Sequence, residues 1–135
     1  MKFLVAFLFI FNLSYSQNES DYKYNISGAS KTTMTDNCSD VKNYAETDIK
    51  NNTIYVFLQG GIDPVIYSSD KEFEKKHNIH FNDLGCIVSK CAETYNHYIF
   101  DHLYKTFGKK WMKTIRKDTL GFKSWKKNNK QQRNE

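Results

Sequence analysis

The stretch Thr53-Ile-Tyr-Val-Phe-Leu58 carries the clearest strand signal in the chain. Its residues are β-branched, aromatic or aliphatic at every position, which is typical of a strand that is covered on both faces. We therefore expect this strand to lie centrally in a small sheet. Gln59-Gly60-Gly61 ends it. Pro64-Val-Ile-Tyr67 then fits either a short edge strand or an extended turn, because proline cannot donate a ladder hydrogen bond.

A helix and a second strand are predicted to follow. Ser69-Asp-Lys-Glu72 has the capping-box pattern, which predicts a helix from Asp70 to about His77. Asn78 suits the left-handed position at its end. Residues 79–83 alternate in polarity and predict a half-buried strand. About twenty residues separate the two predicted strands, which is enough for a crossover, so a parallel pair is allowed.

Three further helices are expected around this sheet. Residues 41–49 predict a short helix, and residues 90–107 give the strongest helical periodicity, closed by Gly108. Residues 109–118 predict another helix that packs Trp111. A chain of 135 residues has room for one domain. We expect an α+β fold, with a sheet of two to three strands covered by two or three helices, over residues 38–126.

The N-terminus has the pattern of a secretory signal peptide. Lys2 precedes nine consecutive apolar residues, and small residues at Ser14 and Ser16 suit a cleavage site before Gln17. Nine apolar residues are too few to cross a bilayer, which needs about 20. The alternative is a buried N-terminal helix. We expect residues 1–16 to be removed and the mature chain to be exported, periplasmic or secreted, without a transmembrane segment.

Two segments of the mature chain are expected to lie outside the core. Residues 17–37 contain few large apolar side chains and predict a flexible leader. Residues 127–135 are strongly basic and predict a disordered tail. Phe122 and Trp125 are expected to dock on the core before this tail begins.

The basic residues are concentrated in the C-terminal third. Residues 105–135 contain eleven Lys and Arg and two acidic residues, whereas residues 17–104 contain eight basic and thirteen acidic residues. This segregation fits a solvated helix face, or a surface for an anionic partner. Export favours an acidic envelope protein or an anionic lipid surface over nucleic acid. The candidate partner-binding residues are Lys109, Lys110, Lys113, Arg116 and Lys117.

Three cysteines allow one disulfide, which is expected in an oxidising compartment. Cys86–Cys91 is slightly favoured because these residues are close in sequence. Cys38–Cys86 and Cys38–Cys91 remain open. Cys86, Cys91, His97 and His102 also have ligand types that zinc accepts, although the two histidines are about 140° apart around a helix. A small metal-binding or hydrolytic enzyme that uses this cluster is therefore the alternative function.

The chain also resembles a group of small exported bacterial proteins. These carry a "FEKKY-x-I…D-[FL]-G-C" segment and a "YGKKW…IRKD" segment. The matching stretches here are Leu58-Gln-Gly-Gly-Ile62 with Pro64, Phe73-Glu-Lys-Lys-His-Asn-Ile79 running into Asp83-Leu-Gly-Cys86, and Tyr104-Lys-Thr-Phe-Gly-Lys-Lys-Trp111 with Ile115-Arg-Lys-Asp118. His77 stands where the group usually has tyrosine. The group has no known function, so the resemblance implies export and one small domain and assigns no site residues.

The sequence leads to one functional expectation. We expect a non-enzymatic binding or interaction domain of the cell envelope, which uses either the surface around residues 60–64 or the basic C-terminal face. No nucleophile-elbow, zinc-protease or phosphate-loop motif is present. We therefore assign no catalytic residue, metal site or cofactor.

Overall fold

The computed structural model describes residues 23–87 and 89–131. The predicted signal peptide, residues 1–16, lies outside these residues. Two short 3-10 turns cover Cys38–Asp40 and Lys110–Lys113. The helices are α1 (Gly28–Thr33), α2 (Val41–Asn51), α3 (Asp70–His77), α4 (Lys90–Phe107) and α5 (Phe122–Gln131), and the strands are β1 (Tyr55–Leu58) and β2 (His80–Asp83).

The expected α+β fold and the parallel strand pair are confirmed. Tyr55 pairs with His80 and Leu58 with Asp83, so β1 and β2 run side by side in parallel. All four residues of β1 are buried, whereas β2 is at most half-buried. The crossover between them contains α3, and Asn78 ends α3 with a φ of 51°. On its other side, β1 makes an isolated antiparallel bridge between Leu58 and Thr119.

The start of α3 differs from the predicted capping box. The Ser69 side chain makes no capping bond, because its backbone is already helical with φ −73° and ψ −15°. An N-cap residue that accepts from the first turn normally has extended backbone. The Asp70 carboxylate instead accepts from the Tyr67 amide at 2.9 Å. The Asp70 side chain therefore fixes the backbone at Tyr67, before α3, and the Ser69 side chain caps no amide of the first turn.

A buried asparagine connects the long helix α4 to the sheet. The Asn96 side-chain oxygen accepts from the Phe57 amide at 2.9 Å. Its amide nitrogen donates to the carbonyl oxygens of Phe57 and Leu120, each at 2.9 Å. Because buried backbone groups must find partners, this side chain supplies hydrogen bonds that a third full strand would otherwise provide. It also fixes the 119–120 segment against β1.

The expectation of a flexible leader over residues 17–37 is wrong for residues 28–33, which form α1. Ala29 is fully buried, and a Cβ at Gly28 would lie 2.5 Å from the Tyr44 carbonyl oxygen. The Asp48 carboxylate, 1% exposed, accepts from the amides of Gly28 and Ala29 at 2.7 and 2.8 Å. Small residues and a long-range carboxylate therefore hold this helix, rather than the large apolar side chains that the sequence lacks.

The C-terminal region also differs from the expectation. The predicted helix over residues 109–118 is reduced to the 3-10 turn Lys110–Lys113. The predicted disordered tail, residues 127–135, is helical as far as Gln131, within α5. Trp111, Phe122 and Trp125 are buried around Phe100, with ring centroids 5.5 to 5.8 Å from it. This aromatic cluster holds α5 on the domain, so its lysines project from an ordered helix.

His77 is buried without a hydrogen-bond partner. Its side chain lies between the rings of Phe73 and Phe107, at centroid distances of 4.4 and 4.7 Å. Only 3% of the residue is exposed, and neither ring nitrogen has a partner. Burial, with a smaller contribution from the charge of Lys76, lowers the pKa of His77. The folded protein therefore favours the neutral imidazole.

We predict that His77→Phe stabilises the protein, and does so more strongly in acid. The unfolded chain binds a proton at His77 below pH about 6.5, whereas the folded chain resists it, so stability is lost as the pH falls below that value. The variant should raise the free energy of unfolding by about 1 kcal/mol at pH 7.5, because two unpartnered nitrogens are removed. Urea unfolding should show a larger gain at pH 5. An equal gain at both pH values would contradict this account.

Candidate functional site

Four exposed apolar side chains are close together in one loop after β1. Ile62 and Ile66 are 92% and 81% exposed, and Val65 and Tyr67 are exposed beside them. We call residues 61–67 the apolar loop. It contains no strand, so of the two predicted conformations it takes the extended turn. Surfaces that expose several large apolar residues together commonly bind a partner.

The loop after β2 lies beside the apolar loop. A Cβ placed on Gly85 would be 3.7 Å from the Gly61 carbonyl oxygen. Ile87 and Cys86, which follow Gly85, are both exposed. Because parallel strands end at the same edge of a sheet, the loops that follow them meet there. The exposed Ile87 and Cys86 therefore follow a residue that lies next to the start of the apolar loop.

Arg116 fixes the apolar loop from beneath. Only 9% of the residue is exposed, and its guanidinium donates to the Val65 carbonyl oxygen and the Asp70 carboxylate, both at 2.8 Å. It also forms a two-bond pair with the Asp118 carboxylate. The guanidinium lies 4.8 Å from the centre of the Tyr67 ring. Arg116 is one of the predicted partner-binding residues, but its hydrogen bonds are directed into the protein.

The charges of this cluster are mutually stabilised. Hydrogen bonding to Asp118, together with the negative charges of Asp118 and Asp70, raises the pKa of Arg116. The hydrogen bond from Arg116 in turn lowers the pKa of Asp118. Arg116 and Asp118 are therefore charged at neutral pH, and Arg116 bridges the two carboxylates at the base of the loop.

Lysines stand next to both ends of the apolar loop. A cavity of about 420 Å³ lies between Tyr67 and the 114–118 segment, and Lys117 lines it. Lys117 also lines a second cavity, of about 350 Å³, together with Gln59 and Lys123. Lys109, Lys110 and Lys113 are exposed on and next to the 3-10 turn. Four of the five predicted partner-binding residues are thus exposed, and Lys117 is the one that lines both cavities.

The disulfide joins Cys38 to Cys91, with their Cα atoms 5.1 Å apart. The slightly favoured pair Cys86–Cys91 is therefore wrong. Cys91 lies buried in the first turn of α4, whereas Cys86 is exposed in the preceding loop and is free. Nearness in sequence did not decide the pairing, because the fold brings the distant Cys38 to the buried Cys91. The bond ties the turn before α2 to the start of α4.

The cluster of Cys86, Cys91 and histidines does not form a metal site. The Cys91 sulfur is bonded to Cys38 and is not available as a thiolate ligand. Within residues 23–87 and 89–131, no group of three or more His, Cys, Asp or Glu side chains could hold a metal ion. The alternative function suggested by the sequence therefore loses the ligand set on which it depended.

Glu93, His97 and Ser124 meet between α4 and α5, which the sequence analysis did not anticipate. The Ser124 hydroxyl donates to the Glu93 carboxylate at 2.9 Å. The His97 Nε2 atom lies 3.3 Å from the Ser124 oxygen and 3.7 Å from the same carboxylate. A catalytic triad needs the serine and the acid on opposite nitrogens of the imidazole. Here one nitrogen faces both, so the cluster joins the two helices instead.

Comparison of the chain with family models, curated proteins and solved structures finds no match. Function is therefore argued from the geometry of the site itself. Among the residues that the structure describes, no helix combines the length and apolar content needed to cross a membrane.

We predict that the folded, oxidised protein has one reactive thiol, that of Cys86. Breaking the Cys38–Cys91 bond, which spans 53 positions, should lower the free energy of unfolding by about 4 kcal/mol, because it releases a long loop in the unfolded chain. Thiol titration and urea unfolding of a Cys38→Ala/Cys91→Ala variant test this. Cys86→Ser is the matched control and should leave stability unchanged. Equal losses in the two variants would contradict the assignment.

Proposed function

We propose that the protein is an exported, non-enzymatic binding domain of the cell envelope. Its contact surface would be the apolar loop together with the adjacent lysines. One observation carries the proposal: the exposed Ile62 and Ile66 belong to a loop that the buried Arg116 fixes at Val65. A loop that is already ordered loses less conformational entropy when it binds, so more of the contact energy contributes to affinity.

Export is supported by two independent features. The chain begins with the basic, apolar and small-residue pattern of a signal peptide. The Cys38–Cys91 disulfide is a bond of the kind that persists in oxidising compartments. A binding domain in the envelope would meet its partner in that environment.

The bonding and burial of the candidate catalytic side chains favour a non-enzymatic role. Cys91 is engaged in the disulfide, and the Ser124 hydroxyl donates away from His97 to Glu93. His77 is buried between phenylalanine rings, where no substrate reaches it. Apart from the free Cys86 thiol, the exposed groups at the site are aliphatic side chains and lysine ammonium groups, which bind rather than react.

We predict that Ile62→Ser/Ile66→Ser weakens binding to washed bacterial cell envelopes at least tenfold, because it removes most of the exposed aliphatic surface of the apolar loop. Charge reversal at Lys109, Lys110 and Lys113 should also weaken binding. Sedimentation of labelled protein with the envelopes measures both effects.

The matched control is Ile26→Ser/Met34→Ser, which removes two exposed apolar side chains outside the apolar loop. This control should bind like the wild type. Envelopes that retain no wild-type protein, or that bind the loop variant and the control equally, would overturn the proposed function.

A further inference from the structure

We infer that the partner of the apolar loop is an anionic lipid surface. The apolar loop would enter the boundary between headgroups and acyl chains, and the lysines beside it would lie at the level of the phosphates. This inference rests on the proposed function and specifies its partner.

The apolar loop has the side chains that shallow insertion needs. Ile62, Val65 and Ile66 are aliphatic and exposed, and Ile87 adds a fourth from the neighbouring loop. Interfacial segments bury such side chains to a depth of about 5–10 Å without crossing the membrane. Trp111 and Trp125, which might otherwise anchor a protein at this depth, are buried in the core. Insertion is therefore assigned to the loops and not to α5.

The charge beside the loop is complementary to anionic headgroups. Lys117 lines the cavities at both ends of the apolar loop, and Lys123 lines the one beside Gln59. Asp70 and Asp118, at the base of the loop, are paired with Arg116. Asp63 is exposed within the loop and opposes the attraction.

Glu93 lines the same cavity as Lys123, and Asp83 lies against Gly60, so the carboxylates around the loops offset Lys117 and Lys123. The positive charge that favours an anionic bilayer comes from Lys109, Lys110 and Lys113, which are exposed on and next to the 3-10 turn just before the cavity-lining Thr114. Lysines near a membrane surface contribute about a fivefold gain in binding each.

The shape of the surface favours a bilayer over another protein or a second copy. Ile62 and Ile66 are almost fully exposed, and Val65 is half-exposed, so these aliphatic side chains project from the surface. A second copy that met this surface would form a dimer, which light scattering distinguishes from vesicle binding. A fluid surface accommodates projecting side chains without a matching pocket.

Cys86 provides the reporter for a direct test. It is a free, exposed thiol next to the apolar surface, and the other two cysteines are joined in the disulfide. An environment-sensitive fluorophore on Cys86 should brighten with vesicles of 70% phosphatidylcholine and 30% phosphatidylglycerol, and not with pure phosphatidylcholine. The response should fall in 0.5 M NaCl, where screening acts over a few ångströms.

Variants separate the contributions of the loop and of the charges. Ile62→Ser/Ile66→Ser should lower vesicle affinity at least tenfold, and Lys117→Ala and Lys123→Ala about fivefold each. Asp63→Asn should raise affinity severalfold, because it removes the opposing charge. Ile26→Ser/Met34→Ser should bind like the wild type. A probe on Lys42→Cys in a Cys86→Ser background should not brighten, because Lys42 lies on α2, which lines neither of these cavities.

Three other outcomes would overturn the lipid partner, and the last of them would overturn the proposed binding function as well. Loop-dependent binding to envelopes without binding to the anionic vesicles would replace the lipid with an envelope protein and leave the proposed function standing. Light scattering that shows a dimer lost in Ile62→Ser/Ile66→Ser, again without vesicle binding, would assign the surface to a second copy. Absence of binding to both envelopes and vesicles would overturn the inference and the proposed function together.

Discussion

The buried guanidinium of Arg116 is the interaction on which the functional surface depends. It contacts the apolar loop at Val65, the start of α3 at Asp70 and the turn at Asp118, and it lies 5.9 Å from the Phe81 ring of β2. The guanidinium makes four hydrogen bonds, a planar two-bond pair with Asp118 and one bond each to Asp70 and Val65, whereas a lysine ammonium has only three donors and cannot form the planar pair. The apolar loop is therefore ordered by a group that does not itself reach the partner.

The frame beneath this group is held largely by polar side chains, because the sheet has only two strands. Asn96 joins α4 to β1 and to the 119–120 segment, three residues from Arg116 in the chain. Asp48 joins α1 to α2, and it accepts from the Tyr95 hydroxyl of α4 at 2.7 Å. Burial of this hydroxyl, with the nearby charge of Asp48, raises the pKa of Tyr95 and keeps it a hydrogen-bond donor. The hydrogen bonds of Asn96 and Asp48 hold α4 against β1 and against helices α1 and α2. This packing fixes the end of β1, after which the apolar loop begins.

Sequence patterns predicted the elements that local periodicity defines, and missed those that depend on distant partners. The two strands, α2, α3 and α4 follow from hydrophobic pattern and from end signals such as Asn78, whereas the sequence only allowed the parallel pairing of the strands. Helix α1 was missed because its support is the Asp48 carboxylate, twenty positions away from Gly28. The Cys38–Cys91 bond and the inward position of Arg116 likewise depend on tertiary contacts. The distribution of charged residues in the sequence indicated the basic C-terminal region that contains the lysines of the candidate surface. Only the fold shows that Lys117 lies beside the apolar loop.

The order of the apolar loop is the central claim, and backbone ¹⁵N relaxation at residues 65–67 measures it most directly. If Arg116 fixes this segment, its order parameters in the wild type should be about 0.8, close to those of β1, and should fall below about 0.6 in Arg116→Lys. Order parameters in β1 and α4 should change little in that variant, which separates loss of the loop contact from loss of the fold. Values below about 0.6 at residues 65–67 in the wild type would contradict the account.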